Sequence, residues 1–266
     1  MHDLNLAILC ITLALHSISF EMFEFQTPFA YMDPWLAGLA TAVNFPVEHM
    51  KFLMTIIISI LVSFCLRLVP SSPHTAPLKH IVSILLGTQT LWYLFRLDML
   101  HFFLTSTVSY LLVHTLPRRW SYKVAIAFTG TYIFSAHAYR LYVDYLGWNP
   151  DFTAPQMILT IKLTAYAFAW HDGSLPAEQL SDREKYYQIK TRPGLLEYYG
   201  WILFFPGFLA GPAVEWMDYS KYTDGSLFQG KVPPIPFFDI VFRGFGTAAL
   251  SLLITVLFAG KYGPEN

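Results

Sequence analysis

The chain has 266 residues, of which 55% are apolar, 17% aromatic and only 13% charged, with a net charge of −1. A soluble domain carries roughly twice that charged fraction, because its surface faces water. The balance also excludes a nucleic-acid binder, which needs a basic stripe, and a disordered tail, which is charged and poor in aromatics.

The elements follow from runs of apolar residues long enough to approach the roughly 20 that cross a bilayer as a helix. Leu4–Phe20 comes first; it lacks the positive flank and cleavage site of a secretory signal and reads as an interfacial helix or an extra span. Phe52–Val69 follows, stopped by Pro70-Ser71-Ser72-Pro73. Ile81–Phe95 and Met99–Leu116 are joined by the short corner Arg96-Leu97-Asp98, which predicts a tight helical hairpin. Pro117 separates these from Tyr122–Tyr139, and a turn-rich loop leads to Pro155–Trp170. The stretch from His171 to Arg192 is the most polar of the chain. Leu195–Leu209 is the sixth run, and Ile240–Ala259 the seventh, after a stiff connector Val232-Pro233-Pro234-Ile235-Pro236. The expected fold class is all-α, a polytopic transmembrane helical bundle of about seven hydrophobic segments. Ten basic residues lie in loops after odd-numbered runs against six on the other side, which orients the 171–192 segment towards the cytoplasm. Cys10 and Cys65 both sit in apolar stretches and offer no disulfide framework.

Ionisable groups inside apolar runs are costly, and each is a candidate for function. Lys162 lies in mid-run. It either pairs with an acid such as Glu197 or Asp144, or faces an internal cavity as a cation for a phosphate or carboxylate. His137 and Arg140 are three residues apart, on one helical face, where they anchor the helix end or orient a headgroup. No two of the nine histidines stand three or four apart, which predicts no metal site. There is no nucleophile elbow, phosphate cradle or dinucleotide fingerprint. Gly207-Phe208-Leu209-Ala210-Gly211-Pro212 closes the sixth run and Glu215 follows it. Small residues and a proline there serve close packing, or a bent backbone that lines a cavity.

Five stretches in order carry a resemblance: Asp33-Pro34-Trp35-Leu36; His137-Ala138-Tyr139-Arg140; Gly147 through Pro155, with Asp151; Lys162-Leu163-Thr164 with Asp172-Gly173; and Phe204 through Tyr219. Together they resemble the N-terminal half of a membrane-bound O-acyltransferase, in its lysophospholipid acyltransferase branch. Residues 33–266 then form the N-terminal part of that membrane domain, an incomplete version of the family's fold, and residues 1–32 an extension. The resemblance implies acyl transfer from acyl-CoA, a co-substrate rather than a cofactor, to a lysophospholipid hydroxyl. It implies a multi-pass protein of the endoplasmic reticulum, with the lipid bilayer and its two substrates as partners and no nucleic acid. Lys162, Asp172, Gly211, Pro212 and Glu215 are the expected substrate-cavity residues, and His137, Arg140 and Asp151 the expected structural or headgroup residues. The family's catalytic histidine and asparagine are expected beyond Asn266, so no catalytic residue is assigned here. Trp170-His171-Asp172-Gly173 does not supply the base, because its neighbours match an upstream family segment that ends in Asp-Gly. Ala154 departs from the glycine usual in the family. A chain that stopped at Asn266 is expected to show no transfer; the alternative is a non-catalytic membrane paralogue that scaffolds or regulates.

Overall fold

The computed structural model describes residues 28–145, 147, 150–228 and the single positions 242, 243, 246, 247 and 250. The Leu4–Phe20 stretch, the Pro-rich connector and the seventh run, apart from those five positions, lie outside the described residues. The chain divides into a unit ending at Leu227 and a second, Phe228–Asn266, in which Thr247 Oγ1 donates to the Arg243 carbonyl at 2.8 Å.

The described part of the first unit is helical, with no strand. A short 3₁₀ turn, Pro28–Met32, leads into α1 (Asp33–Ala42), which starts with Asp33 in its first turn and Pro34 beside it, both favourable at a helix N-terminus. Pro46, extended at ψ 134°, sets the start of α2 (Val47–Leu68), which stops two residues before Pro70. The next two runs are α3 (Ala76–Phe95) and α4 (Met99–Thr115), joined as expected by a tight corner, the 3₁₀ turn Arg96–Asp98. Then come α5 (Arg118–Val143) and α6 (Thr153–Asp172).

Helix α3 begins five residues before the apolar run and α5 four before it. Polar residues in the added turn of α3 are inside the fold: Lys79 and His80 are both buried, so hydropathy alone clips that helix. The polar 171–192 segment contains a further helix, α7 (Asp182–Tyr187). Ser181 and Glu184 cap it reciprocally, which holds the Glu184 carboxyl below its ordinary range.

The sixth run departs most from expectation. Only Leu195–Ile202 is helical (α8), too short to span; residues 203–215 are turns and extended chain, and Trp216–Asp224 forms α9. Pro206 is the cause. It has no N–H for the Ile202 carbonyl four residues back, and its ring would collide with that carbonyl in a continuous helix.

Small polar residues lie among the large apolar ones of the interior, and many large apolar side chains also face outwards. The buried set includes Thr55 and Ser59 of α2, Ser83 and Thr90 of α3, His101, Thr105, Ser106 and Ser109 of α4, and Gln156 and Lys162 of α6. Leu53, Ile57, Ile60, Leu61 and Phe64 of α2, Leu85 of α3, Phe134 of α5 and Ile161 of α6 are exposed. A protein in water would bury the second set, whereas in lipid the apolar face is satisfied outside and small polar residues join the helices. Gln156 Nε2 donates to Thr105 Oγ1 at 2.9 Å, and His101 Nδ1 and Tyr132 Oη share a hydrogen bond of 2.6 Å. These bonds tie α4 to α6 and to α5. Among the described residues one helix, Val47–Leu68, is by itself long and apolar enough to cross a membrane.

Candidate functional site

Helices α8 and α9 form a hairpin packed against α3. Gly200 allows the approach: a Cβ there would lie 2.7 Å from Tyr219 Oη and 2.9 Å from the His80 Cα. Tyr219 Oη and His80 Nδ1 share a hydrogen bond of 2.9 Å across the same contact. Both outer ends of the hairpin lie against the connectors at one end of the bundle. Tyr110 Oη donates to the Pro193 carbonyl at 2.8 Å just before α8. After α9, Gly225 adopts φ +86°, and a Cβ on it would strike the Ser71 carbonyl. The tip reaches inwards, where Leu203 lies against Gly87, midway along α3.

Lys162 holds the point where α8 breaks. Its Nζ donates to the Trp201 carbonyl at 2.6 Å and to the Ile202 carbonyl at 3.2 Å, and lies 4.8 Å over the Trp201 ring. The ammonium stands where the N–H missing at Pro206 would have been. A cation also suits the negative end of a helix dipole. Thus Lys162 is bonded to backbone carbonyls, not to Glu197 or Asp144. Glu197 instead accepts from Ser220 Oγ at 2.7 Å.

Beyond the break the chain turns at Gly211, with φ +83°, and the Gly211–Pro212 peptide is cis. A Cβ on Gly211 would lie 3.6 Å from Ile158, one turn before Lys162 on α6. Trp201 Nε1 donates to the Val214 carbonyl at 2.8 Å and draws the returning chain against α8. Glu215 then occupies the N-cap position of α9. The fold therefore brings Lys162, Gly211, Pro212 and Glu215 to one irregular hairpin. Asp172 is not among them: it ends α6, about 15 Å along the axis from Lys162 at 1.5 Å per residue.

His137, Arg140 and Asp151 stand near the other end of α6. Arg140 Nη1 bonds Asp151 Oδ1 at 3.1 Å, and Nη2 donates to the Gly147 carbonyl at 3.2 Å. The same Asp151 oxygen accepts from the Thr153 N–H at 3.2 Å and Thr153 Oγ1 at 2.6 Å, so it satisfies the first turn of α6 while holding the end of α5. Asp151→Ala is expected to lose both roles and cost about 1–3 kcal/mol of stability, read from the unfolding midpoint in micelles. His137 is partly buried one turn before Arg140. His171 stacks on Tyr122 at 4.4 Å, and its Nδ1 lies 3.2 Å from the Arg118 carbonyl.

Several residues that the sequence reading passed over belong to the same region. His80, Tyr219 and Trp201 hold the hairpin, and Gly87 and Gly200 give it room. One signal was legible: Lys79-His80 lies at the edge of an apolar run, and polar residues there extend helices. An open apolar groove of about 450 Å³ runs between α3, α4 and α8, lined by Ile84, Phe103, Leu195, Leu196, Tyr199 and Leu203. Among the described residues no group of three or more His, Cys, Asp or Glu gathers as a metal site.

A helical bundle with an apolar outer face and a broken hairpin packed on α3 defines a membrane-type protein. The chain belongs to the membrane-bound O-acyltransferase family, whose profile matches residues 84–261. It is 32% identical over 197 residues to membrane-bound glycerophospholipid O-acyltransferase 2 of Gallus gallus, covering 73% of this chain and 38% of that protein. It is 28% identical over 193 residues to lysophospholipid acyltransferase 6 of Drosophila melanogaster, covering 72% of this chain and 26% of that protein. With the lysophospholipid acyltransferase of Schizosaccharomyces pombe it shares 40% identity over 101 residues, covering 38% of this chain and 19% of that protein. The chain thus spans well under half the length of each of these relatives.

Proposed function

We propose that this chain builds one wall of the substrate cavity of a lysophospholipid acyltransferase, a multi-pass protein of the endoplasmic reticulum that uses acyl-CoA. The observation that carries this reading is the α8–α9 hairpin, held open at its break by Lys162 inside a bundle whose outer face is apolar. Irregular backbone at that depth is tolerated where it lines a cavity. The names of the relatives supply the reaction class.

In such a transfer the lysophospholipid hydroxyl attacks the thioester carbonyl, loses its proton to a general base and expels the thiolate, while donors hold the developing oxyanion. In this reading the chain positions rather than reacts. Lys162 fixes the hairpin, Gly211 and Pro212 shape its tip, and Glu215 is a polar group on the wall, with Asp172 apart from it at the end of α6. The groove beside α8 offers an apolar bed for an acyl chain. Arg140, Asp151 and His137 brace the loop at the far end of α6.

The test is acyl transfer in proteoliposomes from labelled acyl-CoA to a panel of lysophospholipids, by this chain joined to the remaining C-terminal part of the Gallus gallus relative. Labelled phospholipid is expected, with turnover lowered at least tenfold by Gly211→Val, which cannot hold φ +83° without strain. No product with any acceptor overturns the reading. So does turnover by the 266-residue chain alone that is lost in His171→Ala, since that would place the base here.

A further inference from the structure

At the end of the bundle opposite the polar segment, α1 lies across the helices rather than along them. Its first residue, Asp33, accepts from Tyr93 Oη at 2.5 Å and stands 3.6 Å from Lys51 Nζ. Tyr93 is two residues before the end of α3, and Lys51 is four residues after the start of α2. The last residue of α1, Ala42, is joined to α2 by only Val43 through Pro46. Asn44 makes that corner: at φ +52° it closes α1, and the Phe45 N–H reaches back to the Ala40 carbonyl at 2.9 Å. Both ends of a helix about 15 Å long therefore stand near the same end of the bundle.

Leu36 and Ala40 form the buried side of α1. The other side is open: Trp35 is 59% exposed, and Tyr31, just before the helix, is 86% exposed. Helix α5 ends at this level too, since its Tyr132 meets His101 near the start of α4, and there Tyr142 and Tyr145 are 89% and 73% exposed. Two facts fix what covers this rim. No residue from Pro34 to Val47 is charged, and Asp33 is turned onto Lys51 and Tyr93. A helix that faced water would carry charges on its outer side. Yet Glu48, Lys51, Arg96 and Arg140 stand at the same end, which excludes the centre of the hydrocarbon. Only the headgroup zone accepts both, and tryptophan and tyrosine, apolar in body and polar at the tip, favour it. The ten residues of α1 are too few to span but suit that plane.

We propose that α1 is an interfacial helix, seated with Tyr31, Trp35, Tyr142 and Tyr145 in the headgroup layer of a phospholipid bilayer. The contact is with bulk lipid and involves neither acyl donor nor acceptor. It also sets depth. Lys162 lies nine residues after Thr153 at the start of α6, about 14 Å along the axis, which is close to the middle of a hydrocarbon core about 30 Å thick.

Spin-label depth measurement in phosphatidylcholine vesicles tests it, on the whole chain with Cys10→Ser and Cys65→Ser. The label is attached through Gly38→Cys on the open side of α1, Gly130→Cys midway along α5, or Glu178→Cys in the polar segment. All three positions are exposed, and a Cβ at Gly38 or Gly130 meets nothing within 4 Å, so the variants keep the fold. Oxygen concentrates in hydrocarbon and a nickel chelate in water, so the ratio of their relaxation effects reads depth. The Gly38 ratio is expected between those of the two controls, at least about threefold from each. A ratio closer than that to the Glu178 control puts α1 in water, one closer than that to the Gly130 control puts it in hydrocarbon, and access by neither reagent means that protein covers it. Each of these overturns the proposal, as do equal ratios at Gly130 and Glu178. As a second readout, the part of the tryptophan emission lost in Trp35→Phe is expected to be quenched at least about twofold more by lipid brominated near the headgroup than by lipid brominated near the chain end or by iodide. Stronger quenching by iodide overturns the proposal, and so does quenching by none of the three. No acyl transfer is measured, so this result and that of the transfer assay are separate.

Discussion

Lys162→Met is expected to cost about 2–5 kcal/mol of stability, measured as a shift in the unfolding midpoint in mixed micelles, because it strips donors from two buried carbonyls. The two are not equivalent. The Trp201 carbonyl also accepts from the Phe204 N–H at 3.3 Å, while the Ile202 carbonyl faces a proline where its helical donor should be. Ile202 therefore carries most of the loss. A second substitution isolates the cause. Pro206→Ala supplies an N–H four residues after Ile202, so α8 can extend by a turn and satisfy that carbonyl itself. In a Lys162→Met background it is expected to recover about 1 kcal/mol or more, whereas in the wild type it recovers nothing. Equal effects in the two backgrounds would mean that lysine and proline act independently and that Lys162 does not replace the missing donor.

Gly87→Ala is expected to be the other severe change, at about 1–3 kcal/mol or above. A Cβ at Gly87 would drive into the Leu203 carbonyl and lie 2.8 Å from the Leu203 Cβ. Leu203 follows directly on the Lys162-bonded carbonyls, so neither side can retreat without disturbing the break. Gly130→Ala is the matched comparison. It also lies inside a long helix, but a Cβ there meets nothing within 4 Å. It is expected to stabilise by up to about 1 kcal/mol through helix propensity alone. If both substitutions stabilise, the close approach of α3 to the hairpin tip is wrong. Measuring the pair on one unfolding scale removes the common effect of losing a glycine from a helix.

The all-helical character of the described residues was legible in the sequence, while the count of membrane spans was not. The stop at Pro70, the corner at Arg96–Asp98 and the helical character of five runs follow from local chemistry, since proline, chain direction and apolar length act over a few residues. Membership in the acyltransferase family was likewise written in short stretches such as Gly207 through Pro212. The edges failed where polar residues turned out to be interior, as at Lys79 and His80, because a hydropathy reading clips an apolar run at a polar pair on its edge even where the fold buries that pair.

By itself the sequence determined that the chain is a greasy helical bundle, that the Gly211–Pro212 step closes its sixth run, and that Lys162 sits where a charge is expensive. Only the tertiary structure decided that these three facts are one. Lys162 and Ile202 are 40 residues apart in the chain, and their hydrogen bond exists because α6 passes the broken end of α8. Likewise, nothing local indicates that Trp170 should meet the corner that carries His114 and Arg118, which are themselves only four residues apart. Local sequence specifies where a helix stops; which distant group satisfies the carbonyls it leaves behind depends on packing between helices.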